Sequence, residues 1–251
     1  MVKLKKVLNL IMPFIAIGCV LLVWSIAALS IDSEYILPTV TETLEEFIAL
    51  FVNAKFYLAL FSTMLRSLIA FLVSFMFAFP LAIITVKLSL ADKFIDTLIS
   101  VIRALPTIAI VLILLFWTTS KVAPVIVTTL VVMPTCYTQI VNAFKALDKT
   151  VAEAGRVDGA DEFQVFKFIE LPQIAYALFI TIGSGISLSF KLMVAAEVIA
   201  QTANSIGFML NTSKAYFEIS QMLALVCVSV IFGVVVEFIF NYLSKKVGSF
   251  E

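Results

Sequence analysis

Histidine is missing altogether from the 251 residues. That excludes His-based metal sites, His general bases and the Ser–His–Asp arrangement of hydrolases. Charge is scarce: Asp, Glu, Lys and Arg make up 14% of the chain, against about a quarter in soluble proteins. The 17 basic and 17 acidic residues cancel, so the total charge points to no nucleic-acid partner. Cysteine is limited to Cys19, Cys136 and Cys227. All three lie inside apolar stretches at spacings that fit no disulfide framework or metal site, so they read as small packing residues. No cofactor and no metal are expected. A G-x4-GK(S/T) phosphate loop is also absent, so the chain does not hold ATP in that manner.

What remains is apolar: 62% of the residues, more than a soluble core of this length could hide. Uncharged runs long enough to cross a bilayer, at roughly 20 residues each, occur six times: Ile11–Leu29, Ser67–Val86, Ala104–Ser120, Val122–Phe144, Leu171–Phe190 and Ile219–Val236. The expected fold is therefore all-α, a polytopic membrane helical bundle of about six transmembrane helices. The first run follows Lys3, Lys5 and Lys6 as a secretory signal would, but it is longer than a signal core and reads as a retained span. The third is short and could extend back past Arg103 by snorkelling, with the turn to the fourth near Thr118–Pro124. The fifth is expected to continue past Lys191 towards Ala200.

Six spans put both termini on one side, and the basic residues choose that side. With the N-terminus cytoplasmic, twelve basic residues lie inside: Lys3, Lys5, Lys6, Lys87, Lys93, Arg103, Lys145, Lys149, Arg156, Lys167, Lys245 and Lys246. Lys55, Lys121 and Lys214 lie outside, while Arg66 and Lys191 fall within spans. The expected location is the cell (cytoplasmic/inner) membrane, multi-pass, with both termini cytoplasmic. The first outer loop, Ile31–Tyr57, is acidic, with Asp32, Glu34, Glu42, Glu45 and Glu46. Within it Leu44, Phe47, Ile48 and Phe51 repeat at helical spacing. An amphipathic helix at the outer interface and an N-terminal extension of the second span both explain that pattern.

The one long polar loop on the inside runs from Lys145 to Pro172. Thr150 and Glu153 fit a capping box for a first short helix. Gly159 then breaks the pattern. Asp158 or Asp161 could cap a second helix carrying Phe163, Phe166 and Ile169 on one face, and Pro172 is expected to stop it and start the next span. Aromatics exposed beside Glu153, Arg156 and Asp158 have the character of a docking surface, although a surface loop with ordinary caps has the same ingredients.

The loop resembles the cytoplasmic motif of ABC importer permeases, EAA-x3-G-x9-I-x-LP. Glu153, Ala154, Gly155, Gly159, Ile169, Leu171 and Pro172 stand at that spacing. The departure is Gly155, where the family usually has alanine. Tyr35–Val40, Thr63–Arg66, Arg103–Pro106 and Leu192–Glu197 resemble the nitrate/sulfonate/taurine-type branch, over roughly Tyr35 to Lys245. A second departure is Trp117-Thr118-Thr119-Ser120, where relatives often have a glycine-containing turn.

The resemblance implies a single permease domain over 1–251, with an importer core at about 58–245 and a coupling loop at 145–172. It implies a non-catalytic subunit whose partners are cytoplasmic ABC ATPase subunits, an extracytoplasmic solute-binding protein and a second permease copy in a homodimer. The ATPase-coupling set it implies is Glu153, Ala154, Gly155, Gly159, Phe163, Phe166, Ile169, Leu171 and Pro172. Charges inside spans are costly and face water or one another. Either Arg66 or Lys191 pairs with Glu197 to hold helices together, or the three line the path of a small anionic solute. A secondary transporter would show internal repeats, an energy-coupling-factor scaffold would show Ala-Arg-Gly motifs, and a serine-type intramembrane protease would need histidine.

Overall fold

The computed structural model describes residues 2–31 and 33–248. Asp32 lies outside the described residues, as do the side chains of Lys3, Lys5 and Lys6. Every regular element among the described residues is helical: α1 (Val2–Ile31), α2 (Val40–Leu50), α3 (Ala54–Lys87), α4 (Ser89–Ala104), α5 (Thr107–Trp117), α6 (Ala123–Lys145), α7 (Lys149–Val157), α8 (Glu162–Val165), a π-helical turn (Phe166–Glu170), α9 (Leu171–Ala200), α10 (Ile206–Ala215) and α11 (Ile219–Gly248). Among the described residues four stretches are long and apolar enough to cross a membrane: Ala54–Lys87, Ala123–Lys145, Glu162–Ala200 and Ile219–Lys246. The 30-residue α1 covers the first expected span.

The residues group into two compact units. One holds the chain up to Tyr57 together with Met209–Val228. Here the Trp24 indole donates to the Pro38 carbonyl at 2.9 Å, fixing the exit from α1. A capping box starts α2: Thr39 Oγ1 accepts from the Glu42 amide at 3.2 Å and Glu42 Oε2 from the Thr39 amide at 2.8 Å. Residues Phe51–Asn53 break the chain before α3, and Asn53 Oδ1 accepts from the Lys55 amide. So α2 is a separate helix, and the reading of this segment as an extension of the second span is corrected. The Asx turn at Asn53 competes with continued helix. Leu44 and Ile48 of α2 and Phe51 just after it are exposed.

The second unit holds Leu58–Phe208 and the residues from Ser229 on. Its core joins Phe71 of α3, Ile95 and Ile99 of α4, Val132, Cys136, Tyr137 and Ile140 of α6, and Ile174 of α9. Two glycines bring the spans close. A methyl at Gly185 would stand 2.6 Å from the Phe71 ring and 3.2 Å from Cys136 Sγ, and one at Gly183 would meet Phe240 Cβ at 2.5 Å. Small residues let membrane helices approach without a hydrophobic driving force.

The third expected span is the one the structure corrects. It does not extend back past Arg103 as a straight helix. α4 ends at Ala104, α5 begins at Thr107, and the two are bent by 85°. Pro106 is the cause: it has no amide hydrogen, and it drives the preceding residue out of the helical region. Leu105 accordingly has ψ 127°. α5 has 11 residues, about 16 Å or half a bilayer. The turn from α5 to α6 occupies residues 118–122.

Candidate functional site

The polar loop folds as two helices about one left-handed residue. Its first cap is not the Thr150–Glu153 box. Asp148 caps α7 instead, its Oδ1 accepting from the Thr150 amide at 2.9 Å and the Thr150 hydroxyl at 2.6 Å. A short Asp side chain reaches the amide two residues on, so Thr150 becomes a donor and Glu153 keeps no cap role. The Thr150 hydroxyl and amide hold the Asp148 carboxyl below its ordinary range.

α7 ends at Val157 with Asp158 as its C-cap, and Gly159 has φ +91°. No atom lies within 4 Å of where its Cβ would be, so the demand for glycine there comes from the backbone. Of the two candidate caps for the next helix, Asp161 is used. It accepts from the Gln164 amide at 2.7 Å, and Gln164 Oε1 accepts from the Asp161 amide at 2.9 Å.

Pro172 does not stop this second helix. The chain stays helical from Glu162 to Ala200, 39 residues without a break. The π turn is the accommodation: the Leu171 amide donates to the Phe166 carbonyl, five residues back. Pro172 then sits at the start of α9, where its missing donor is tolerated. The π turn also slips the side-chain spacing, so the expected single face of Phe163, Phe166 and Ile169 is split. Phe163 and Phe168 are 68% and 67% exposed. Phe166 turns inward, stacked on Phe144 at 6.3 Å with Lys87 Nζ 4.9 Å from its centroid. Ile169 packs on α7, its Cδ1 2.5 Å from where a Gly155 Cβ would be. Glycine at 155 therefore admits the isoleucine tip. Leu171 packs partly buried against the core, Pro172 and Ala154 are exposed, and Val165, absent from the expected set, is fully buried.

Ion pairs tie the loop to the end of α3. Arg156 meets Glu162 through Nε at 2.6 Å and Nη2 at 3.2 Å. That hydrogen bond holds the Glu162 carboxyl below its ordinary range and the guanidinium above its own. Glu170 stands 3.9 Å from both Arg156 and Lys87. A cleft of about 400 Å³ lies beneath, lined by Lys87, Phe144, Glu153, Arg156 and Glu170 among others.

Arg66 and Lys191, the two cations that the sequence puts within spans, enter separate ion pairs. Glu197 is fully buried and carries Arg66 Nη2 at 2.7 Å, Arg66 Nε at 2.8 Å and the Thr63 hydroxyl at 2.9 Å. The Gly207 amide reaches the same carboxylate at 3.4 Å. Of the pairings the sequence leaves open, Arg66–Glu197 is the one that forms. Lys191 pairs with Glu237 of α11 instead, at 3.6 Å, both side chains about half exposed. Among the described residues no group of three or more Cys, Asp or Glu could hold a metal ion.

Long apolar helices, close-packed through glycine and carrying one structured polar loop, define a multi-pass membrane protein. The family described as "Binding-protein-dependent transport system inner membrane component" matches residues 76–249. The chain belongs to that family: it is an ABC transporter permease of the binding-protein-dependent type. It is 22% identical over 232 residues to the taurine transport system permease protein TauC of Escherichia coli (strain K12), covering 89% of this chain and 83% of the relative. It is 20% identical over 194 residues to a probable ABC transporter permease protein of Brucella melitensis, covering 76% and 78%. Among solved structures, inward-facing MetNI methionine ABC transporter superposes with TM-score 0.67 at 15% identity, over 75% of this chain and 94% of the other. An amino acid ABC transporter gives TM-score 0.64 at 14% identity, over 81% and 94%. The likeness to the taurine permease agrees with the nitrate/sulfonate/taurine resemblance of the sequence.

Proposed function

We propose that the chain is the permease subunit of an ATP-driven importer. It forms the translocation path for a small anionic solute and couples that path to a separate ATPase through residues 145–172. It works as a homodimer with an extracytoplasmic solute-binding protein, in the cytoplasmic membrane with both termini inside. One observation carries the reading: the second helix of the loop is continuous with α9. A force applied at Phe163 is delivered along a helix that is continuous from Glu162 to Ala200, with the π turn before Pro172 as the point where it can bend. The coupling set is Glu153, Ala154, Gly155, Gly159, Phe163, Phe166, Ile169, Leu171 and Pro172. Within it Phe163 offers contact area, while Phe166 and Ile169 seat the loop from below. Arg66 and Glu197 hold α3 to the end of α9, and Lys191 with Glu237 faces the path.

The exposed aromatics test this. Phe163→Glu with Phe168→Glu removes apolar area from an interface centre and adds charges to be desolvated, typically 2 kcal/mol or more for an aromatic hot spot. Co-purification of the co-expressed ATPase is expected to fall at least tenfold while membrane expression is unchanged. Undiminished co-purification would remove this surface from the interface.

A further inference from the structure

Cations at mid-span are costly unless paired, and three stand in this unit. Arg66 has Glu197 and Lys191 has Glu237. Arg103 has no carboxylate within ion-pair distance among the described residues. Its Nη2 donates to the Pro134 carbonyl at 2.8 Å and to the Thr138 hydroxyl. Pro134 is the middle residue of α6, so the guanidinium stands halfway along a spanning helix. It is there because Pro106 breaks the α4–α5 helix just after it. Arg103 is nevertheless exposed.

The neighbouring face of α6 is unusual for a membrane helix. Thr135, Thr138 and Asn142 follow one another at helical spacing and none is buried, the two threonine hydroxyls also donating to the Val131 and Pro134 carbonyls of their own helix. Gln139 lies one step around and accepts from the Ser184 hydroxyl of α9 at 3.1 Å. Polar side chains open along the length of a span line water or protein.

We propose that this stripe lines the solute path and that Arg103 is its anion-attracting residue, a positively charged post for a carboxylate, sulfonate or similar oxyanion. This rests on the permease reading above and assigns the solute's charge to a position. Two hydroxyl or carbonyl contacts orient the guanidinium without neutralising it. The remaining N–H donors are free to face a planar or tetrahedral oxyanion.

The test needs no knowledge of the solute. Thr135→Cys is introduced into a chain carrying Cys19→Ser and Cys227→Ser, with the buried Cys136 retained. The full chain is placed in lipid nanodiscs. Rates of modification are measured with a sulfonate-bearing and with a trimethylammonium-bearing methanethiosulfonate. With Arg103 present the sulfonate reagent is expected to react faster. Adding Arg103→Gln should slow it roughly tenfold, in keeping with electrostatic focusing in a low-dielectric cleft, without slowing the cationic reagent. Arg103→Lys should keep most of the difference, and high salt should shrink it. A sulfonate rate unchanged by Arg103→Gln would overturn the role of Arg103 while leaving the path in place. No reaction with either reagent would overturn the path along this face. Neither result touches ATPase coupling, which co-purification reads separately.

Discussion

Glu197→Ala is expected to lower the thermal unfolding midpoint in detergent by on the order of 10 °C, with uptake lost as a consequence. The carboxylate is fully buried and accepts from Arg66, Thr63 and the Gly207 amide. Removing it leaves a guanidinium with 15% of its side chain exposed and no counter-charge. Breaking a buried pair from one side costs about 3–5 kcal/mol, and 1 kcal/mol moves the midpoint of a domain this size by about 2–4 °C. The turn after α9 suffers as well, because Gln201 and Asn204 hold positive φ and the Asn204 carbonyl accepts from Arg66. The double variant Arg66→Met with Glu197→Leu should regain part of the loss, since no buried charge is then left unpaired. A wild-type midpoint in Glu197→Ala with uptake abolished would instead make this carboxylate part of the solute path.

Gly159→Asp is expected to abolish uptake in a chain that still inserts normally. The φ of +91° is a glycine conformation, and a side chain there costs on the order of 1–3 kcal/mol. The space around its Cβ is open, so the strain is confined to the junction of α7 and α8 and the spans keep their packing. The reciprocal cap between Asp161 and Gln164 and the Arg156–Glu162 pair depend on that junction. Its distortion tilts Phe163 relative to α7 and adds a charge to the docking surface. Membrane expression, ATPase co-purification and uptake on one preparation should give normal, weak and near-zero values in that order. Wild-type uptake and ATPase binding would remove the loop from the coupling mechanism.

The spans were readable because lipid demands long uncharged runs, and five of the six runs fall on one helix each, the third being broken at Pro106. The glycine bend was readable because Gly159 interrupts two capped segments. What escaped did so for identifiable reasons. Asp148 and Thr150 both cap well, and the sequence does not say which does. Pro106 carried the signal for the α4–α5 break, but continuous apolarity around it argued for one span. The π turn has no sequence signature beyond Pro172, so the rotation of Phe166 into the core could not be read from a 3.6-residue period. Pairing across 131 residues, as between Arg66 and Glu197, is set by tertiary packing alone. Six unbroken spans with the N-terminus cytoplasmic put Arg103 among the inside charges; with the break at Pro106, its guanidinium lies against the middle of α6.

In the proposed mechanism an ATPase docks on the loop and acts on α9 through it. A photo-crosslinking side chain placed at Phe163 in the full chain, co-expressed with its ATPase in membranes, measures this directly. A covalent adduct with the ATPase is expected from position 163, and none from Tyr176, which is exposed on the same continuous helix but lies within the span. Absence of the adduct at 163, or equal adducts from both positions, would contradict it.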